Sequence, residues 1–432
     1  MKKNIFILSL IIFLFINCRS NKIKNLSFWN MPFVSQEVSK SYVEKWQTDL
    51  NKKLTHIHVE NFYGPGAYKD QRDKFLLQAK SSKPDIIEGL LEDAAVYVSK
   101  DLIYPLDDLF NNWDQKDQFI KNTLLPLTIN GKLYGLPYNT NARALIYRKD
   151  ILKEYNLTVP QTWPELIMTA RKITKSTNKK IYGFFVCTEI GEPRSIQEFI
   201  TWYYQVSGKQ NMFDIIDGEI KFNGNISTFK NVLKLYEELF SGEFSACDPD
   251  QRGMGWQNED DGYITGKWAM LPTGPWLWGR REHSDLAKDI LENKTDISRM
   301  PYYEYGVPAT YLEVKAIMMN SNTKNKNESW ELIKYIVSKE KMAEWLVDSG
   351  GIPARKDSAE MDEFKKARMD WWIKGFANEL PTSVAMAPIN WGHINKACLE
   401  AVHFVIYNKK KPDEAAGWLN NKILTIIKNN DL

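Results

Sequence analysis

The chain has 432 residues, with 57 basic and 54 acidic side chains and a formal charge of +3 at neutral pH. So even a balance leaves no electrostatic footprint for nucleic acid or for an anionic surface, and the length exceeds what one core fills, so two domains are expected. Beyond Cys18 only Cys187, Cys247 and Cys398 remain, an odd and widely spaced set that excludes a disulfide framework.

Lys2 and Lys3 precede an apolar run, Ile5 to Ile16, that is broken only by Ser9 and ends at Asn17-Cys18. This pattern predicts a signal peptide over residues 1–17. The run of roughly 12 residues is too short for a spanning helix, which takes about 20. Leu14-Phe15-Ile16-Asn17-Cys18 resembles the lipobox of bacterial lipoproteins, although Asn17 stands where Gly, Ala or Ser is usual. That resemblance implies lipidation of Cys18, a tether over residues 18–25 and an extracytoplasmic, membrane-anchored protein.

Ile23 to Trp29 reads as a strand and Ser39 to Leu50 as an amphipathic helix. Thr55 to Phe62 is strand-like, Lys69 to Ser81 helical, and Pro84 to Ile87 opens another strand. Alternating strands and helices argue for a doubly wound sheet. Two more strands, Tyr134 to Pro137 and Ala144 to Tyr147, flank the polar loop Asn139-Thr140-Asn141, which has the character of a crossing between lobes. Ile181 to Val186 begins a fresh β segment. Ile196 to Ser207 and Phe229 to Phe240 are helical, and Gly266 to Leu271 is a strand leading to Thr273-Gly274-Pro275-Trp276. Val314 to Met319 is extended, and the remainder is helical nearly throughout.

In this order, several segments resemble a known family. They include Lys83-Pro84-Asp85-Ile86-Ile87, Gly131-Lys132-Leu133-Tyr134-Gly135-Leu136-Pro137, Ile146-Tyr147-Arg148-Lys149-Asp150 and Pro160-Gln161-Thr162-Trp163-Pro164-Glu165-Leu166. Gly266-Lys267-Trp268-Ala269-Met270, Gly274-Pro275-Trp276 and Gly350-Gly351-Ile352-Pro353-Ala354-Arg355 follow. The chain is similar, from about Leu26 to about Ile423, to the extracellular solute-binding proteins of bacterial ABC transporters, in the group that includes maltose-binding protein. The resemblance implies an α/β protein of two doubly wound lobes joined by crossing strands, the type II periplasmic-binding-protein arrangement. The expected lobes are 26–139 with 306–340 and 140–305 with 341–432. It further implies a monomer that holds a sugar in the cleft and delivers it to the transmembrane subunits of a permease.

Ligands of doubly wound sheets sit beyond the carboxyl ends of strands, and sugars offer C–H faces and vicinal hydroxyls to aromatic, carboxylate, amide and guanidinium groups. By the resemblance, Trp276 and Trp391 match stacking tryptophans, Asn30 and Glu88 stand where the family places ligand contacts, and Arg355 matches an Arg near the cleft. Asn139, Asn141 and Arg143 sit at the first crossing, where short amides also form turns. Trp278 follows Trp276 by two. Trp256, before Glu259-Asp260-Asp261, is read equally as a cleft wall or a packed loop anchor.

The competing readings are a binding or sensing lipoprotein with no transport role, and a glycan-active enzyme such as a glycosidase, whose two carboxylates must straddle the bond at a set distance. Sequence does not measure that distance. Gly-x-Ser-x-Gly, His-Glu-x-x-His, Walker and Gly-x-Gly-x-x-Gly signatures are all missing. Five scattered histidines offer no clustered metal ligands. The expectation is therefore a binding protein with no catalytic residues, no cofactor and no metal.

Overall fold

The structure is a computed structural model that describes residues 23–30, 44, 47–63, 68–216, 219–349, 351–366 and 370–429. The expected signal peptide, Cys18 and most of the tether lie outside these residues. Its principal strands are β1 (Lys24–Asn30), β2 (Ile57–Tyr63), β3 (Ile86–Leu90), β4 (Leu136–Ala142), β5 (Ala144–Arg148), β6 (Met270–Thr273), β7 (Thr295–Ser298), β8 (Thr310–Met319), β9 (Ile352–Pro353) and β10 (Ser383–Val384).

The large sheet has the order β9-β4-β8-β3-β1-β2, with β10 against β8. β1 pairs parallel with β2 along its whole length and with β3 at Phe28↔Ile86 and Trp29↔Ile87. β8 runs antiparallel to both β3 and β4. These strands are buried nearly end to end, so polar residues such as Glu88, Asn139, Asn141 and Glu313 are carried into the interior along with the apolar ones. Asp85 is structural here: its Oδ2 accepts from the Ser27 amide at 2.8 Å and hydroxyl at 2.9 Å, fastening β1 to the start of β3.

The second sheet is smaller and antiparallel, β6-β5-β7. The expected strand at Ile181 to Val186 contributes only an isolated parallel bridge, Tyr182↔Trp268. Gly183 explains the tightness there, because a Cβ on it would lie 2.2 Å from the Ala170 backbone of helix Trp163–Ser176. That helix opens on the capping box Thr162/Glu165 with Pro164 in its first turn, as Thr-Trp-Pro-Glu foretells.

Two strands carry the chain between the lobes. β4 ends at Ala142, Arg143 follows, and β5 starts at Ala144 in the second sheet. β8 returns alongside, with Leu312 opposite Ala142 and Val314 opposite Thr140, while the Thr310 hydroxyl donates to the Arg143 carbonyl at 3.0 Å. The expected boundary at 340/341 is displaced. Lys341 pairs with Asp49 at 2.7 Å, β9 pairs with β4, and the Ile120 amide donates to the Ala354 carbonyl at 2.9 Å. The chain thus stays with the large sheet through Arg355. Helical patterning continues unbroken across 340, so sequence carries no mark of where the last crossing falls.

Candidate functional site

The crossing strands build the centre of the site. Asn141 lies opposite Glu313 and Asn139 opposite Lys315, two residues apart on β8 and therefore on one face of the sheet. Glu88, opposite Ile317, continues that face. Glu313 accepts from the Asn141 amide at 3.0 Å and from the Arg143 guanidinium at 2.8 Å, and Arg143 also donates to Asn141 Oδ1 at 2.8 Å. Burial opposes ionisation of Glu313, yet Arg143 and Lys315 hold its carboxyl down to about 2. It is an ion pair almost wholly removed from solvent.

Helix Pro193–Ser207 reaches this centre from the second lobe, fixed by the Glu192 side chain accepting from the Ser195 amide at 2.8 Å. Arg143 donates to Gln197 Oε1, and Gln197 in turn donates to Glu92 Oε1 at 2.8 Å. Glu92 stands in the first turn of helix Leu91–Ser99, just after β3, and also accepts from the Tyr311 hydroxyl at 2.6 Å. Burial raises its carboxyl to about 7 despite these two donors.

Around this hydrogen-bonded core runs an alternation of guanidinium and indole. Arg143 lies 4.4 Å and Arg194 4.8 Å from the centroid of the Trp276 ring, and Lys315 5.9 Å. Arg194 also stands 5.7 Å from Trp256, with Arg280 5.2 Å from that same ring. Glu259 and Asp260 hold Arg194 at 2.5 and 2.8 Å. Each such contact contributes on the order of 0.5–2 kcal/mol, more where water is excluded. The Trp276 indole folds back over Gly274, where a Cβ would come within 1.8 Å of the ring, so this Gly-Pro-Trp admits no other residue at 274 without moving the indole.

Several buried polar atoms of this region have no hydrogen-bond partner among the described residues. They are Glu92 Oε2, Asn139 Oδ1, Arg143 Nε, Thr273 Oγ1, Trp276 Nε1 and both amide atoms of Asn30, which ends β1. Each such atom costs about 1–3 kcal/mol if nothing satisfies it. Together they are a set of donors and acceptors suited to hydroxyl groups, beside an aromatic ring suited to C–H faces.

Of the residues expected from sequence, the structure brings Asn141, Arg143, Trp256 and Trp276 into this cluster and sets Asn139 and Glu88 on the same sheet face. Glu88 stands against the Tyr138 hydroxyl, which burial and the nearby carboxylate push well above its usual range. Trp278 packs instead on Trp372 at 5.1 Å and edge-on to Trp371 at 6.1 Å, beside the row. Two others lie apart from the cluster. Arg355 is buried between Trp113 and Phe119, with its nitrogens given to Asp357, Gln115 and the Val337 carbonyl. Trp391 is a core residue, 4 % exposed, edge-on to Phe213 and donating to the Ala387 carbonyl. Glu92, Arg194, Gln197, Glu313 and Lys315 also stand in the cluster, outside the set expected from sequence. The signals available were Glu-Pro as a helix start, which puts 194 and 197 one turn apart on one side, and the position of Glu92 just past a strand end.

A cavity of about 1120 Å³ lies elsewhere, lined by Thr123, Pro126, Thr140, Phe213, Leu312 and Val384 among others. Thr140 and Leu312 alternate with Asn141 and Glu313, so this cavity is behind the crossing strands. Ligand pockets usually measure about 300–1,000 Å³, but the convergent charged and aromatic groups are on the other face, which makes that face the candidate site.

The profile described as bacterial extracellular solute-binding protein matches residues 45–369. A Brucella abortus relative, whose name goes no further than binding, is 26% identical over 323 residues, 73% of each chain. Among solved structures, an ABC transporter solute-binding protein from Thermotoga lettingae bound with α-D-tagatose is similar at 24% identity, with a TM-score of 0.77 over 92% of this chain and 98% of that one. The GacH receptor of Streptomyces glaucescens, solved unliganded and with acarbose, gives a TM-score of 0.79 at 19% identity, over 94% of this chain and 98% of the other. No helix among the described residues is long and apolar enough to cross a membrane.

Proposed function

We propose that this chain, which belongs to the bacterial extracellular solute-binding protein family, captures a sugar between its two lobes for delivery to an ABC permease. The observation that carries this reading is the set of unsatisfied buried donors and acceptors gathered around Trp276 where β4 and β8 cross. Hydroxyls in pairs satisfy Glu92 Oε2, Asn139 Oδ1 and Arg143 Nε, and a pyranose or furanose face covers the indole. Names of similar proteins point the same way, since tagatose and acarbose are both polyhydroxylated. The hinge is then at Ala142–Ala144 and Thr310–Leu312. Lipidation at Cys18 completes the reading, holding the receptor beside the permease.

The test is a titration of the mature protein with mono- and oligosaccharides, followed by tryptophan fluorescence and by thermal melting. One sugar class is expected to give a saturable change and a melting shift that grows with ligand concentration by mass action, while the sugar is recovered unchanged. Absence of both signals across a broad panel, or turnover of the sugar, rejects the reading.

A further inference from the structure

We infer that the second lobe carries a divalent-metal site of zinc type, formed by Cys187, Glu198 and Glu259 beneath the cleft wall. The three residues come from separate elements: Cys187 from the stretch beside β6, Glu198 from helix Pro193–Ser207 and Glu259 from helix Trp256–Ile264. A ligand atom from each lies within 4.8 Å of the other two, and all three residues are buried. The Cys187 thiol donates to Glu259 Oε2 at 3.5 Å, a separation that also suits two ligands of a tetrahedral ion with bonds of about 2.0–2.3 Å.

A further observation points to an ion. Glu198 Oε1 and Glu259 Oε1 are buried with no partner among the described residues, although the other oxygen of each is engaged, by the Cys187 amide at 2.8 Å and by Arg194 at 2.5 Å. A divalent cation seated among the three residues would take both free oxygens and the sulfur as ligands. A thiolate with carboxylates selects zinc over calcium or magnesium, which take oxygen ligands alone. The ion would join three elements, two of which present Arg194 and Trp256 to the cleft. Scattered histidines gave no sign of this, because the ligands are a cysteine and two glutamates.

The experiment uses the mature full chain, stripped with a chelator and titrated with Co²⁺. A near-ultraviolet thiolate-to-cobalt charge-transfer band is expected, saturating at one ion per chain and abolished by added Zn²⁺. Cys187→Ser is expected to lose the band, whereas Cys247→Ser and Cys398→Ser keep it. Glu198→Gln should weaken cobalt binding on the order of tenfold or more, since even groups behind a metal's direct ligands alter affinity by 10–100-fold. Absence of a saturable band in the unaltered protein, or its survival in Cys187→Ser, overturns the inference. The wild-type titration decides even if a variant folds poorly. Since the readout is the metal, the result stands apart from which sugar is bound.

Discussion

Replacing Arg143 with Met tests the ion pair at the crossing. The side chain is 1% exposed and its partner Glu313 is 5% exposed, so the substitution leaves a carboxylate buried, with Asn141 and the more distant Lys315, 3.7 Å away, as its remaining support. Breaking such a pair costs about 3–5 kcal/mol. The depression of Glu313 from 4.5 to about 2 independently corresponds to about 3 kcal/mol, of which Arg143 is the larger favourable source. Because this carboxyl is depressed in the folded state, its contribution is fully present above about pH 4.5 and is lost as pH falls towards 2. Urea unfolding of wild type and Arg143→Met, followed by circular dichroism at pH 7 and pH 3, should show a deficit of about 3 kcal/mol at the higher pH. That deficit should narrow by roughly 2 kcal/mol at the lower. An equal deficit at both pH values, or one well below 1 kcal/mol at pH 7, would refute the assignment of Glu313 as an ionised, Arg143-dependent group.

Glu92 gives the opposite sign. Burial raises its carboxyl from 4.5 to about 7, so its contribution is complete below pH 4.5 and lost as pH rises through 7; Glu92→Gln, which keeps an acceptor for Tyr311, should stabilise the protein by up to about 3 kcal/mol at pH 8 and leave it nearly unchanged at pH 4. Trp276→Ala should weaken sugar binding by about 1–3 kcal/mol in a calorimetric titration, as loss of an aromatic stacking platform does elsewhere; unchanged affinity would remove Trp276 from the site. Cys18→Ser should move the protein from the membrane fraction to the soluble one, and persistent membrane association would contradict the lipid anchor.

Much of the fold was legible because it is written in local pattern. Asp85 after a proline, the Thr-Trp-Pro-Glu capping box and the polar crossing at Asn139 to Asn141 each have a short-range physical cause. The second sheet was less so: Gly183 permits close packing against Ala170, and this packing, not β-propensity, sets the path of residues 181–187. At the site, Arg143 was singled out because a polar stretch between two strands marked a crossing, although residues 139–141 are themselves strand, and Trp276 because its Gly-Pro-Trp resembles the family's. Trp391 and Arg355 show the limit. A tryptophan before a helix and an arginine after Pro-Ala have the same sequence whether they face a cleft or fill a core, and only Phe213 and the Trp113–Phe119 pair reveal which. Arg194 and Gln197 escaped because helical periodicity identifies an apolar side without saying which polar residues meet the opposite lobe. The cysteine–glutamate cluster was invisible for a related reason, its members lying up to 72 positions apart.

The hydrogen bond from Gln197 to Glu92 joins a helix of one lobe to a helix of the other. Under the proposed function, such a link biases the balance of open and shut forms. A link worth about 1 kcal/mol multiplies the shut fraction about fivefold before ligand arrives. Every molecule already shut binds at its intrinsic strength, so under the proposed function this one amide trades selectivity for readiness: it would tighten capture of any sugar the pocket fits, and lengthen the time an empty receptor resembles a loaded one to its permease.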